Sequence, residues 1–224
     1  MRAPAVRHPR SPVLKNESIA AYGWDSSARP ESCGYVAPIV LDIVHGLGAR
    51  RILDLGCGNG ELCGLLARAG CEVVGVELDT AGVQLARRTH PGVRFHNFGV
   101  QDDPRDLLAH ERGHRFEAVV STEVIEHLFA PHLLVAYARA VLVPGGSLVV
   151  STPYHGYLKN LALSLAGHWD RHHTPLWHGG HIKFWSRATL TQLLTEHGFR
   201  VTGFRGAGRA PWLWKSMILT GRVQ

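Results

Sequence analysis

The chain has 224 residues, of which 45% are hydrophobic and 19% are charged. These values are ordinary for a globular protein, and the length is sufficient for one domain with a sizeable core. The formal net charge is +6, but the lysines and arginines are spread along the chain, whereas nucleic-acid binding needs clustered cations. The composition therefore argues against a nucleic-acid partner.

The ends and the cysteines bear on the location of the protein. The chain has no apolar stretch of the roughly 18 residues that a membrane span needs, so the sequence predicts a soluble or peripheral protein. Residues 1–16, which include Arg2, Arg7 and Arg10, are predicted to form a flexible basic tail ahead of a single domain over 17–224. The four cysteines fit neither a zinc pattern nor a secreted disulfide framework, which predicts reduced thiols in the cytoplasm.

Apolar runs alternate along the chain with helical patterns, which is typical of an α/β protein with a doubly wound parallel sheet. Strands are predicted near residues 50–55, 72–77, 93–96, 116–121, 146–152, 199–205 and 213–220. Helices are predicted over residues 35–46, 61–69, 80–89, 104–110, 130–142 and 187–197. Pro144-Gly145-Gly146 is a turn signal before the fifth strand.

The most informative segment is Ile52–Gly60, in which an apolar run ends at an acid and three glycines alternate before a helical pattern. This pattern predicts a buried strand that turns tightly into a helix over a ligand. The third glycine of a dinucleotide fingerprint would fall at Glu61, whose carboxylate in the first helical turn repels a pyrophosphate. The same acid suits a cationic ligand such as S-adenosylmethionine. The segment resembles motif I of the class I methyltransferases.

The resemblance implies a seven-stranded Rossmann-like sheet with its last strand antiparallel. A second apolar run ends at Glu77, about 20 residues after the first glycine, where such folds place a carboxylate on the ribose hydroxyls. By resemblance Asp102 contacts the adenine amino group, although the neighbouring Asp103 could instead cap a helix. Asp79 is predicted to be an N-cap. The complete set of candidate cofactor residues is Asp54, Gly56, Cys57, Gly58, Gly60, Glu77, Leu78, Asp102 and Glu123.

A second acidic segment follows the fourth predicted strand. If residues 123–127 form a helical turn, Glu123, Glu126 and His127 occupy positions i, i+3 and i+4 and face the same side. Carboxylates with an imidazole suit a divalent cation such as magnesium or manganese. The sequence therefore predicts a metal site here, with a further ligand from elsewhere in the chain.

Residues 121–128 resemble both the ubiquinone-biosynthesis O-methyltransferases and the small-RNA 2′-O-methyltransferases. The latter use two glutamates and a histidine of this motif as metal ligands, with a fourth histidine shortly before the last helix. The matching stretch here is Gly180–Arg187, so the resemblance implies a metal set of Glu123, Glu126, His127 and His181. It covers roughly residues 48–205.

Methyltransferases without a metal also contain the Glu-His pair of this segment. In that case His127 or His181 is the candidate general base, because a neutral imidazole with a pKa near about 6.5 can accept a hydroxyl proton. Glu126, His127 and His181 are the candidate catalytic residues under either interpretation. The predicted activity is O-methylation of a small aromatic, quinone-like or vicinal-diol acceptor. Small-molecule N-methylation and RNA 2′-O-methylation are the alternatives.

Residues 153–184 are rich in apolar and aromatic side chains, and they are predicted to form a lid that covers the cofactor and receives an apolar acceptor. Packing of the same side chains into the core is the alternative. Residues 157–166 carry one lysine in an otherwise nearly apolar stretch, which could also touch a membrane interface. A small-molecule acceptor is therefore the expected partner, with peripheral membrane contact as an additional possibility.

Overall fold

The computed structural model describes residues 28–173, 176 and 180–224; the predicted basic tail over 1–16 lies outside them. The strands are β1 Arg51–Leu55, β2 Glu72–Val76, β3 Arg94–His96, β4 Phe116–Thr122, β5 Leu142–Pro153, β6 Phe199–Ala207 and β7 Ser216–Val223. The helices are α1 Glu31–Leu47, α2 Glu61–Arg68, α3 Thr80–Thr89, α4 Pro104–His110, α5 His132–Val141, α6 Tyr157–Leu165, α7 Trp169–His173 and α8 Arg187–Glu196.

The strands form one seven-stranded sheet in the order β3-β2-β1-β4-β5-β7-β6. The pairs β1–β2, β1–β4, β2–β3 and β4–β5 are parallel, whereas β7 runs antiparallel to both β5 and β6. This arrangement confirms the predicted mostly parallel sheet with an antiparallel last strand. Because the parallel strands point the same way, their carboxyl ends meet at one edge, where ligands bind in such folds.

The core lies on both faces of the sheet. Along β1, Leu53 and Leu55 belong to one buried cluster and Ile52 belongs to the cluster on the other face. In the sequence, the central strands therefore appear as continuous apolar runs, because helices cover the side chains on both faces of the sheet. None of the helices in the described part of the chain combines the length and hydropathy of a membrane span.

The predicted helix caps are confirmed. The Asp79 carboxylate accepts a hydrogen bond from the Ala81 N–H at the start of α3, at 2.8 Å. The Asp103 carboxylate accepts one from the Arg105 N–H at the start of α4, at 2.9 Å. Each satisfies an N–H group that the first helical turn leaves without a partner.

Three predicted boundaries are wrong. Strand β5 begins at Leu142 rather than near 146, because Leu142 pairs with Phe116 and the predicted turn Pro144-Gly145-Gly146 forms a bulge before Ser147 resumes the pairing. Strand β7 begins at Ser216 rather than 213, and α1 begins one turn before the predicted start. Bulges of this kind depend on the partner strand, so local sequence patterns do not reveal them.

The predicted helical turn over 123–127 is also only partly right. A short 3-10 turn covers Ile125–His127, while Glu123 lies before it with a φ of 55°. That backbone angle is left-handed, so Glu123 does not share a helical face with Glu126 and His127. The i, i+3, i+4 argument therefore fails for Glu123.

Candidate active site

One large cavity opens at the carboxyl ends of the parallel strands. Its volume is about 1040 Å³, at the upper end of the range for small-molecule sites. Its wall includes residues that follow β1, β2, β4 and β5, together with parts of α1, α6 and the connection between β6 and β7. A site of this size has room for two ligands side by side.

The glycine-rich turn after β1 forms one wall. The N–H groups of Gly56 and Cys57 donate to the carbonyl of Val76, at 2.8 and 3.0 Å, which ties the turn to the end of β2. Gly56 has a φ of 85°, and a Cβ at this position would lie 2.5 Å from the Val124 side chain. Glycine is therefore required here by both conformation and space.

Asp54 is 1% exposed and borders the cavity. One carboxylate oxygen accepts a hydrogen bond from the Cys63 thiol at 3.2 Å, and the other has no partner within the described residues. Burial raises the pKa of Asp54 to about 7, against the smaller opposite effect of the Cys63 hydrogen bond. A cationic ligand in the cavity would stabilise the ionised carboxylate.

Glu77 fastens the end of β2 to the glycine turn. Its carboxylate accepts hydrogen bonds from the N–H groups of Gly58 at 2.9 Å and Asp79 at 2.8 Å. Burial raises the pKa of Glu77, while these backbone hydrogen bonds act to lower it. The carboxylate borders the cavity and retains lone pairs for ribose hydroxyls.

Most of the predicted cofactor residues line the cavity, but Gly60 and Asp102 do not. Its wall includes Asp54, Gly56, Cys57, Gly58, Glu77, Leu78 and Glu123. Gly60 is the N-cap of α2, where an added Cβ would contact Ala86 and Phe95. The Asp102 carboxylate accepts a hydrogen bond from the Gly99 N–H at 2.7 Å and does not line the cavity, whereas Gly99 does. Adenine binding by Asp102 stays a prediction.

Glu123 belongs to a network of hydroxyl groups. The Ser151 hydroxyl donates to one carboxylate oxygen at 2.7 Å, and the Ser216 hydroxyl donates to the other at 3.0 Å. Ser151 lies on β5 and Ser216 begins β7, so Glu123 joins the ends of three neighbouring strands. No local pattern identifies these serines, because each becomes a partner of Glu123 only when the sheet forms.

Glu126, His127 and His181 converge on one point. One potential ligand atom from each lies within 4.8 Å of the others, and the rings of His127 and His181 are 4.9 Å apart. The Glu126 carboxylate is fully buried, and neither oxygen has a hydrogen-bond partner among the described residues. Such an uncompensated buried carboxylate is costly and needs a proton or a cation.

The environment prepares these groups to bind a cation. Burial raises the pKa of Glu126 well above its usual range, and the charge of Glu123 adds to the effect. Burial, followed by the charge of His127, lowers the pKa of His181 to about 4. The imidazole of His181 is therefore neutral at pH 7, which is the form that binds metals.

Backbone hydrogen bonds hold the segment that contains His181 next to Glu126. The N–H groups of Ile182 and Lys183 both donate to the carbonyl of Glu126, at 2.9 and 3.0 Å. In addition, Nδ1 of His127 lies 3.2 Å from the carbonyl of Gly180. A hydrogen bond there would place the proton on Nδ1 and leave the ring lone pair on Nε2, which faces Glu126 at 3.9 Å.

The sequence analysis missed the basic side of the cavity. Lys159 of α6 is 5% exposed, and it lines the wall with Arg209 and Lys215. The available signal was a single lysine in the apolar stretch over 157–166. From the sequence, this lysine only interrupts an apolar surface. In the structure, its side chain is buried and lines the cavity.

The methyltransferase domain family matches residues 26–203 of the chain. A ubiquinone biosynthesis O-methyltransferase of Bradyrhizobium diazoefficiens is 26% identical over 225 residues, covering 89% of this chain and 84% of the relative. The corresponding enzyme of Acinetobacter baylyi is 28% identical over 144 residues, with 62% of this chain and only 60% of the relative covered.

The fold resembles that of solved methyltransferases. The crystal structure of magnesium protoporphyrin IX methyltransferase from Synechocystis with bound S-adenosylhomocysteine matches with a TM-score of 0.64 and 16% identity, covering 84% of this chain and 82% of that one. At this identity the likeness concerns the fold alone. The family match extends over most of the chain and includes the glycine turn, Glu77 and the segment 123–127. The chain therefore belongs to the methyltransferase domain family, within the class I S-adenosylmethionine-dependent fold.

Proposed function

We propose that the protein transfers the methyl group of S-adenosylmethionine to an oxygen of a small aromatic, quinone-like or vicinal-diol acceptor. The observation that carries the proposal is one cavity bordered by Asp54, Glu77 and the glycine turn on one side and by His127 and His181 on the other. Cofactor and acceptor would thus meet in a single cavity. The relatives named as ubiquinone biosynthesis O-methyltransferases support oxygen as the acceptor atom.

The cofactor end is suited to a cation without phosphate. Asp54 and Glu77 are buried carboxylates at the cavity, and Glu61 places an acid in the first turn of α2. Together they oppose a pyrophosphate at this helix end. S-adenosylmethionine carries sulfonium and ammonium groups, so its charge is complementary to this wall, and Glu77 would accept the ribose hydroxyls.

The residues around Glu126 fit a divalent cation. A buried carboxylate without a hydrogen-bond partner, beside a histidine kept neutral by burial, is a ligand set for magnesium or manganese. Glu126, His127 and His181 would hold the ion, and the carboxylate of Glu123 is committed to two serines. When bound, such an ion supplies a Lewis acid that lowers the pKa of an acceptor hydroxyl.

The chain itself contributes orientation and exclusion of water. The glycine turn fixes the donor, and the half-buried histidines face the acceptor side of the same cavity. Holding the two reactants in line supplies much of the acceleration, because the methyl group is already activated. Without an ion, His127 or His181 is the candidate base for the hydroxyl proton, and the lowered pKa of His181 makes its imidazole a weak base.

The lid over 153–184 stays a prediction, and the residues of α6 that the structure describes support an acceptor wall. Ala162, Leu163 and Ala166 line the cavity from α6 and its end, which suits an apolar acceptor. Helix α6 also exposes Tyr157, Leu158 and Leu165, so peripheral membrane contact stays a prediction. The four free thiols agree with the expected cytoplasmic location, which also stays a prediction.

The function is tested with S-adenosylmethionine labelled at the methyl group and a panel of catechol, a primary aromatic amine and a short RNA with free 2′-hydroxyls at its end. We expect label on catechol. Chelation should abolish turnover without loss of S-adenosylmethionine binding, and magnesium or manganese should restore it. Labelling of the amine or the RNA alone would replace the proposal by one of the alternatives, and full activity after chelation would leave histidine base catalysis.

A further inference from the structure

Lys159 is a buried cation at the cavity, and none of the described carboxylates forms an ion pair with it. Its side chain is 5% exposed, and its ammonium group donates to the carbonyls of Tyr154 at 2.8 Å and Lys215 at 3.3 Å. These two bonds leave one N–H for a ligand. Within the described residues no carboxylate forms an ion pair with Lys159. A buried charge in this state is costly until an anion approaches it.

The charge of Lys159 is felt throughout the acceptor side of the cavity. Burial is the main cause of the lowered pKa values of the surrounding histidines, and the charge of Lys159 adds to it at His155, His172, His173 and His181. Burial lowers the pKa of Lys159 itself to about 8, and the charge of Arg209 acts in the same direction, whereas Glu123 opposes it. The surroundings of Lys159 therefore have an excess of positive charge.

Arg209 extends this basic area. It is exposed, lines the same cavity and has no ion pair within the described part of the chain. Lys215, in contrast, is paired with Glu31 and lies over the Tyr35 ring at 5.2 Å. Two cations of the cavity wall, Lys159 and Arg209, thus remain to be neutralised by a ligand.

We propose, on the basis of the methyl-transfer function above, that the acceptor carries a carboxylate that pairs with Lys159 and Arg209 while its apolar body packs against α6. Leu163 and Leu213 line the cavity with these two cations, so the acid group would be recognised in largely apolar surroundings. A carboxylate is favoured over a phosphate because removing one charge from water costs less than removing two. Arginine can bind a carboxylate with two parallel hydrogen bonds.

This carboxylate is distinct from that of the cofactor. Asp54 lies on β1 and the glycine turn follows it, whereas Lys159 lies on α6 after β5, and β4 lies between these strands in the sheet. Neighbouring strands are about 4.8 Å apart, so the carboxyl ends of β1 and β5 are separated by about 10 Å. Lys159 and His181 line the same cavity, so one small aromatic acceptor would place its acid group at Lys159 and its reacting oxygen near His181.

The first test measures binding to the complex with S-adenosylhomocysteine. Calorimetry compares 3,4-dimethoxybenzoate with 3,4-dimethoxybenzamide, which differ in charge and have no hydroxyl to methylate. We expect the benzoate to bind about tenfold more tightly, as for a charge-assisted hydrogen bond in an apolar site. Lys159→Met should remove the difference and Arg209→Gln should reduce it. Arg200→Gln, at an exposed arginine outside the cavity, is the matched control.

The second test separates recognition of the acid from chemistry. With 3,4-dihydroxybenzoate as acceptor, Lys159→Met should raise KM about tenfold and change kcat little, whereas catechol should show neither effect. An equal loss of kcat with both acceptors would assign Lys159 to the reacting oxygen, and a loss of S-adenosylhomocysteine affinity would assign it to the cofactor. Either result overturns the inference.

The remaining outcomes distinguish the two proposals. A benzoate that binds no more tightly than the amide, whether or not either binds, contradicts the acid-binding site. If catechol is methylated in that case, the proposed function stands alone. If no acceptor of the panel is methylated, the proposed function fails. Since Lys159 is buried and its replacement could unfold the protein, the exposed Arg209→Gln variant provides an independent reading of the carboxylate preference.

Discussion

Gly58 adopts a backbone conformation that few other residues tolerate. Its φ is 53°, and its N–H donates to the Glu77 carboxylate at 2.9 Å. A β-branched side chain in this left-handed region costs roughly 1–2 kcal/mol, so the turn would shift to relieve the strain. The same shift would break the contact that holds the proposed ribose ligand.

We therefore expect Gly58→Val to lower the affinity for S-adenosylhomocysteine by about tenfold or more, as measured by calorimetry. Gly46→Ala is the matched control, because Gly46 lies within α1 and a Cβ there has open space. That variant should bind normally and be as stable as the parent or more so. Unchanged affinity in a folded Gly58→Val protein would contradict the assignment of the glycine turn.

Glu123 and Glu126 are three residues apart and have different surroundings. The Glu123 carboxylate accepts hydrogen bonds from two serine hydroxyls, whereas neither oxygen of Glu126 has a hydrogen-bond partner in the described residues. We expect Glu126→Gln to abolish Mn²⁺ binding, because an amide is a poorer ligand than a carboxylate. Glu123→Gln should retain most of it. Electron paramagnetic resonance of added Mn²⁺ measures both variants against the parent.

The Mn²⁺ measurement has two other outcomes, and each contradicts a different part of the proposed ligand set. An equal loss in both variants would restore the set of four ligands that the sequence resemblance implied. If the parent protein binds no Mn²⁺, the proposed ion fails, and Glu126 is then a carboxyl group kept protonated by burial, in keeping with its raised pKa.

Among the elements, the segments that the sequence predicted well are those whose patterns are local. The run Ile52–Leu55 and the run that ends at Glu77 are buried on both faces, so their apolar character alone identifies the strands. Asp79 and Asp103 mark helix starts because a cap needs only its own next turn. The acids predicted to follow the strands, Asp54 and Glu77, line the cavity, whereas Asp102 does not.

Elements that depend on distant partners were predicted poorly. The bulge at Pro144–Gly146 exists because Leu142 pairs with Phe116, and the left-handed Glu123 is held by serines of two other strands. The inward direction of Lys159 depends on carbonyls that include that of Lys215, 56 residues away. The spacing of residues in the sequence does not reveal such contacts. The position of His181 near Glu126 and His127, in contrast, was implied by the resemblance to known enzymes.

The helical region α6–α7 has a predicted response to acid. Burial lowers the pKa of His155 to about 3 and that of His172 to about 4, from 6.5 in the unfolded chain, and the charge of Lys159 adds to both effects. A depressed folded pKa means that stabilisation is complete above pH 6.5 and is lost as the pH falls through the folded values. The region should therefore open as the pH decreases from 7 to 4.

Hydrogen exchange of the α6 amides, corrected for the intrinsic rate, measures this opening. Protection should fall between pH 7 and pH 5 in α6 while strand β1 keeps its protection. His155→Phe retains an aromatic ring without a titrating group and should weaken the pH dependence. If α6 protection stays constant over this range, the histidines do not control the region.

In the whole molecule, the order of the sheet explains why one cavity serves two tasks. Strand β4 lies between β1 and β5, so Glu123 stands between the glycine turn and the Lys159 region. The carboxyl ends of the parallel strands bring the proposed cofactor-binding acids to one side, while Lys215 and Ser216, at the start of the antiparallel β7, line the other. Each side chain comes from a rigid strand end or a short connection, which favours precise placement.

Ligand binding to this cavity should stabilise the entire fold. At a concentration one hundred times its Kd, S-adenosylhomocysteine would contribute about 2.7 kcal/mol to the free energy of unfolding. For a chain of this size that corresponds to a rise in Tm of about 5–10 °C, measured by scanning calorimetry. NADH should give no shift, because Glu61 in the first turn of α2 opposes its pyrophosphate. A rise with NADH and none with S-adenosylhomocysteine would contradict the cofactor assignment, independently of any conclusion about the acceptor or the metal.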